Sequence, residues 1–118
     1  PVYGKGAQMR EWMHVSDCAR AVFTVLEKGK IGEVYNIGTK FESCNIDTVK
    51  NILKLLGKSE KLITFVPDRP GHDFRYSVAW EKLRKLGWSP KVSFKDGIRE
   101  TIAWHTKNQA WVERKKSQ

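Results

Sequence analysis

Residues 10–37 read REWMHVSDCARAVFTVLEKGKIGEVYNI, and this run decides the fold class. Its first part, Arg10 to Val15, puts Arg10, Trp12 and His14 on one face and Glu11, Met13 and Val15 on the other. That is the period-two pattern of a short strand. Ser16 then occupies an N-cap position, and Asp17 falls in the first turn, where a carboxylate meets the positive end of a helix. Ala19, Val22, Phe23 and Leu26 recur at helical spacing, so a helix is expected over 17–28, ended by Gly29 or Gly32. Glu33 to Ile37 is compact and β-prone, closes at Gly38, and reads as a buried strand. Such a strand–helix–strand unit resembles the end of a parallel αβ sheet, with too few strands in these residues to complete one. The chain also opens at Pro1, within a glycine turn at Tyr3-Gly4-Lys5-Gly6, which favours a piece of a longer protein whose upstream part supplies the remaining strands.

Working outward, a second amphipathic helix is expected over 46–56. Ile46, Val49, Ile52, Leu53 and Leu56 face inward, Gly57 is the stop, and Asn45 is the default cap. Leu62 to Val66 reads as a strand. The polar run Pro67-Asp68-Arg69-Pro70-Gly71-His72-Asp73 follows, with Pro70 and Gly71 suited to the two central positions of a type II turn. Phe74 to Val78 is extended, and Ala79 to Leu86 forms a short helix stopped by Gly87. Ser93-Phe94-Lys95-Asp96 matches a capping box and opens a last helix. Ile98, Ile102 and His105 form its inner stripe, with Trp104 and Trp111 at the edges. The result is α+β: short strands and about four helices in one unit, residues 1–118.

The 118 residues suit one domain. With 40% apolar and 30% charged residues, disorder and collagen-like repeats are poor readings. No apolar run approaches the roughly 18–20 residues of a bilayer-spanning helix. Cys18 and Cys44 form no CxxC pair, so reduced thiols in a cytoplasmic protein are favoured. Against 13 acidic residues stand 22 Lys and Arg, a net charge of +9 that points to an anionic partner. The lysines fall mostly on solvated helix faces. No RNP-like pattern, C2H2 spacing or leucine-zipper heptad raises the nucleic-acid reading.

Complete catalytic engines are missing from these residues. Gly4 and Gly6 match only the start of a dinucleotide loop, with no third glycine and no strand expected before them. Neither a Walker loop nor a Gly-x-Ser-x-Gly elbow occurs. The scattered His14, His72 and His105 define no metal site, and His14 and His105 read as half-buried packing residues. No tyrosine is followed four residues on by lysine. Anion recognition remains: Arg10 beside Trp12 and the Tyr3 turn, and Arg69 with His72 on the rigid Pro-Gly turn. Guanidinium groups bind phosphate in bidentate fashion, and an aromatic such as Tyr3 can stack on a nucleobase.

Taken together, several segments resemble the C-terminal part of the dTDP-glucose 4,6-dehydratases, a branch of the extended short-chain dehydrogenases/reductases. They are Pro1-Val-Tyr-Gly-Lys-Gly6 with Gln8, Arg10-Glu-Trp12, Val15-Ser-Asp17, Tyr35-Asn-Ile-Gly38, Asn45-Ile-Asp47, Asp68-Arg-Pro-Gly-His-Asp73 with Arg75-Tyr76, Leu86-Gly-Trp88-Ser-Pro90, and Gly97-Ile98 with Thr101 and Trp104. The Asp68-to-Asp73 run is the part specific to the dehydratase branch. By this resemblance Tyr3 lies against the thymine base, Arg10 and Arg69 hold the diphosphate, and Asn45 and Asp68, Arg69, Pro70, Gly71 and His72 contact substrate. Residues 10–37 then complete the NAD-binding domain, and the rest forms the smaller sugar-nucleotide domain. The implied enzyme is an NAD-dependent hydro-lyase acting on dTDP-glucose, a cytoplasmic homodimer whose NAD loop and catalytic residues lie upstream, so no catalytic residue is expected here. Three residues depart from the pattern: Ala79 leaves the short helix uncapped, Glu11 replaces an Asp, and Cys18 replaces a His. A UDP-sugar epimerase or decarboxylase of the same superfamily and a basic nucleic-acid module are the competing readings.

Overall fold

The computed structural model describes residues 1–116. Two small sheets and five helices make up the α+β fold. Strands β1 (Val2–Tyr3) and β4 (Phe65–Val66) pair in parallel, while β2 (Met9–Glu11) and β3 (Glu42–Cys44) pair antiparallel with Arg10 opposite Ser43. Met9 also bridges to Arg75, so the 74–76 segment flanks β2 on its other side. Helices α1 (Val15–Lys28), α2 (Asn45–Leu55), α3 (Glu81–Arg84), α4 (Phe94–Lys107) and α5 (Gln109–Lys116) carry the rest, with a single 3₁₀ turn at Glu60–Leu62.

Several sequence expectations are corrected. The first strand stops at Glu11 instead of running to Val15, because α1 begins early: His14 is its N-cap and Ser16 lies inside the first turn. Residues 33–37 form no strand, since β structure needs a neighbouring ladder and none of the described residues lies beside them in one. Leu62 to Val66 splits into the 3₁₀ turn and the two-residue β4. A strand, β1, does precede Gly4. Cys44 takes the N-cap of α2 without a side-chain bond, and Asn45 is the first helical residue, so the capping role read for Asn45 does not hold. The short helix begins at Glu81 with Trp80 as an N-cap that makes no side-chain bond, which moves Ala79 outside it. Leu56 and His105 are exposed, not inward.

Around α1 the core is small and one-sided. Ala21, Trp80, Leu83 and Trp88 are buried together, with Met13, Val25, Ile37 and Leu86 packed against them and the two indoles edge to face at 5.3 Å. The opposite stripe of α1 stays open: Val22 is 56%, Phe23 59% and Leu26 80% exposed. The stripe marked by the helical period is therefore the side left bare. A radius of gyration of 16.8 Å, against about 13.5 Å for a tightly packed chain of this length, agrees with so much uncovered apolar surface.

Carboxylates do much of the fastening. Asp17 is fully buried; its oxygens accept the backbone N–H groups of Lys91 and Val92 at 3.0–3.1 Å and pair with Arg20, while its carbonyl accepts the Trp88 indole at 3.2 Å. Burial pushes this carboxyl up, but the bonds from Val92, Arg20 and Lys91 outweigh it and hold it below the usual carboxylate range. Glu11 accepts from the backbone N–H groups of Thr39, Lys40 and Val78, joining β2 to two distant loops. At α4 the serine half of the capping box forms as read, with Asp96 N donating to Ser93 Oγ at 3.1 Å, while the Asp96 carboxylate accepts the Ser93 hydroxyl at 2.6 Å.

Candidate functional site

The 68–73 turn takes the shape that Pro70 and Gly71 dictate. Proline fixes its own φ, Gly71 adopts φ +66°, and His72 N donates to Arg69 O at 3.2 Å across the bend. Asp68 anchors its start: Oδ1 accepts Arg69 N at 2.8 Å and faces His72 Nδ1 at 2.7 Å, while Oδ2 accepts Gln8 Nε2 at 2.5 Å. These partners, with the His72 bond foremost, keep the Asp68 carboxyl below its ordinary range. The glycine turn packs directly on this carboxylate, and a Cβ on Gly4, whose φ is +55°, would come within 2.9 Å of Asp68 Oδ2.

Arg10 reaches the same turn from β2. Its Nη1 donates to Met9 O at 2.7 Å and Phe74 O at 3.3 Å, and its Nη2 contacts His72 Nε2 and donates to Asp73 O, both at 3.0 Å. Four of the five guanidinium N–H groups are thereby engaged inside the protein. The plane lies 4.4 Å from the Tyr76 ring centre, and the Tyr76 hydroxyl donates to Asp73, a bond that raises the phenol above its usual range. Arg69 is equipped differently. It is exposed and, among the described residues, its guanidinium makes no hydrogen bond or ion pair; it sits 5.0 Å over the Tyr3 ring. Tyr3 in turn meets the His72 ring edge-on at 6.1 Å.

Tyr3, Arg10, Asp68, Arg69, Pro70, Gly71 and His72 thus come together from strands β1 and β2 and one turn. Asn45 joins only at the margin, its backbone N–H donating to Gln8 O at 3.0 Å at the start of α2. Sequence reading gave Gln8 and Tyr76 no role of their own, although Gln8 stands two residues before Arg10 on an extended run, the spacing that turns both toward one side. The chemistry on offer is anion recognition: an unpaired guanidinium fork beside a second fixed cation and an exposed phenol ring. Among the described residues, no group of three or more His, Cys, Asp or Glu is arranged to hold a metal ion.

A wide cleft lies elsewhere. About 1180 Å³ opens between α4 and the β2–α1 junction, lined by Trp12, Phe41, Ile52, Phe94, Ile98 and Trp104. It contains none of the residues above; its polar lining includes His14, Lys91, Lys95, Glu100 and His105.

Compared with known proteins, the chain is 50% identical to the dTDP-glucose 4,6-dehydratase of Streptomyces niveus, over 99% of its own length and 35% of that protein's. The same figures hold for dTDP-glucose 4,6-dehydratase 1 of Escherichia coli K12. Among solved structures, a dTDP-glucose 4,6-dehydratase from Streptomyces venezuelae with NAD bound superposes at a TM-score of 0.90 with 42% identity, over 94% of this chain and 35% of that one. The UDP-glucose 4-epimerase of Thermotoga maritima, with UDP-glucose, superposes at 0.83 with 31% identity, over 92% and 35% of the two chains. The chain therefore spans about 35% of the length of these relatives. A sequence model of one family runs through both sheets, the Asp68 turn and most of α4, matching residues 1–101, and the chain belongs to that family, the GDP-mannose 4,6 dehydratases.

Proposed function

We propose that this chain is the C-terminal, sugar-nucleotide-binding portion of an NAD-dependent dTDP-glucose 4,6-dehydratase, which converts dTDP-glucose to dTDP-4-keto-6-deoxyglucose and water. The observation that carries the reading is the convergence of Arg69, Arg10, Tyr3 and His72 on one turn, in a chain half identical to proteins of that name. Arg69 offers its open fork to the diphosphate, Arg10 adds a fixed positive charge, and Tyr3, 45% exposed, presents ring surface to the base. Binding the nucleotide end positions the hexose for chemistry performed by other parts of the protein.

NAD does not fit the residues present. The Gly4–Gly6 turn is the nearest thing to a dinucleotide loop, yet a Cβ on Gly6 would stand 2.9 Å from the Ile46 side chain and 3.2 Å from its backbone nitrogen, so α2 already fills the space a pyrophosphate needs. The cofactor belongs to a preceding domain, and the bare stripe of α1 is the surface that domain covers, with residues 10–37 completing its sheet. The whole enzyme is read as a cytoplasmic homodimer; among the described residues, no helix is long and apolar enough to cross a membrane.

Calorimetric titration of the chain with dTDP, UDP and a random oligonucleotide at two salt concentrations tests this. Preference for dTDP with a shallow salt response is expected. Preference for UDP favours the epimerase or decarboxylase reading, to which the Thermotoga maritima likeness lends support. Oligonucleotide binding that collapses with salt marks a polyanion-binding module.

A further inference from the structure

We propose that Gln8, Asp68 and His72 form a hydrogen-bonded relay that holds His72 as the neutral Nδ1–H tautomer, leaving its Nε2 lone pair to fix the Arg10 guanidinium in place. This rests on the reading of the cluster as the nucleotide-sugar site, and it makes Asp68 and His72 positioning residues that act through Arg10.

Both ends of the imidazole dictate the same proton placement. Arginine N–H groups only donate, so Arg10 Nη2 at 3.0 Å requires a bare Nε2. The Asp68 carboxylate only accepts, so its Oδ1 at 2.7 Å requires a proton on Nδ1. The opposite tautomer places donor against donor at one end and acceptor against acceptor at the other, and a doubly protonated ring fails at Arg10. Gln8 completes the chain. Buried to 6% exposure, it gives its amide N–H to Asp68 Oδ2, which leaves Oδ1 to the histidine and to Arg69 N. The His72 side chain is itself only 7% exposed, so water competes little for either nitrogen. With Nη1 held by two carbonyls and Nη2 by Asp73 O, the histidine supplies, among the described residues, the one side-chain hydrogen bond to the guanidinium, and it ties Arg10 to the same turn that carries Arg69.

Long-range proton–nitrogen NMR of the 15N-histidine-labelled chain at neutral pH reads the tautomer directly, with the His72 signals identified by their loss in His72→Gln. We expect a protonated Nδ1 and a bare Nε2, shifting toward the Nε2–H form in Asp68→Ala. Titration with dTDP-glucose supplies the second readout. His72→Phe, which keeps the ring volume without an acceptor, should bind about tenfold more weakly, and His72→Gln, whose carbonyl can take the Arg10 bond, should recover most of that loss. A proton on Nε2 in the unsubstituted chain overturns the relay, as does full affinity in His72→Phe. Should the unsubstituted chain take up no dTDP-glucose, the nucleotide-sugar reading falls, while the tautomer and its response to Asp68→Ala still decide the relay.

Discussion

Replacing Arg69 with alanine should separate binding from folding, because the structure gives this side chain almost nothing to do within the protein. Among the described residues its guanidinium makes one contact, the cation–π approach to Tyr3 at 5.0 Å, worth about 0.5–1 kcal/mol at an exposed position. Unfolding in urea, followed by tryptophan fluorescence, should therefore shift by no more than about that amount. Affinity for dTDP-glucose should fall much further. A charge-assisted bond to a phosphate oxygen contributes about 1.5–3 kcal/mol, so loss of the fork should weaken binding roughly 10- to 150-fold. Arg69→Lys keeps the charge but not the paired donors and should fall between. Arg10→Ala is the contrasting case. It removes four internal bonds, three of which tie the 72–74 segment to β2, and at about 0.5–1 kcal/mol net for each, it should cost about 2–4 kcal/mol of stability as well as affinity. Equal affinity in Arg69→Ala and the unsubstituted protein would refute the assignment of the fork. So would a stability loss in Arg69→Ala as large as that in Arg10→Ala.

Three further outcomes follow from the same geometry. Asp17→Asn sets an amide against backbone N–H groups that the carboxylate now accepts, and denaturant unfolding should show a loss of about 3–5 kcal/mol. Because the folded-state value of Asp17 is depressed, its contribution is fully present above the ordinary aspartate value of about 3.9 and disappears as pH falls through the lower folded value; acid titration of the Asp17→Asn variant should lack that component. Gly4→Ala places a methyl on a backbone at φ +55° and within 2.9 Å of Asp68, so it should cost about 1–2 kcal/mol in thermal unfolding and weaken dTDP-glucose binding by displacing that carboxylate. Ser93→Ala removes the cap of α4 and should lower stability by about 1 kcal/mol in the same assay, leaving binding unaltered.

How far sequence reading carried depended on whether a feature closes on itself. The capping box at Ser93 and Asp96, the Pro70–Gly71 turn and the helix over 45–55 each depend on residues within a few positions of one another, and all three are legible without a fold. The period of α1 was equally legible. Hydrophobic spacing marks a stripe made for burial, and Ala19, Val22 and Phe23 form such a stripe; the described residues pack against the other side, through Asp17, Ala21 and Val25. The strand read at 33–37 did not form. A β-prone run becomes a strand only when a neighbour supplies its ladder, and propensity says nothing of the neighbour. Asp17 was read as a dipole partner, the ordinary role of a first-turn acid, whereas its main partners are backbone groups more than 70 residues away.

The candidate site shows the same division in its chemistry. Residue types alone made Arg10 and Arg69 equivalent, two guanidinium groups on separate segments with the same capacity for phosphate. Their difference lies in what surrounds them. Arg10 enters beneath the turn along a strand, where the carbonyls of Met9, Asp73 and Phe74 and the His72 ring take up its donors. Arg69 stands on the turn itself, at the position before Pro70, and among the described residues has only a phenol face below it. A guanidinium saturated by its own protein contributes a fixed charge, and one left open contributes direction as well, since bidentate recognition needs two free N–H groups in one plane. Discrimination among anions should therefore rest with Arg69, and the placement of the turn that carries it should rest with Arg10.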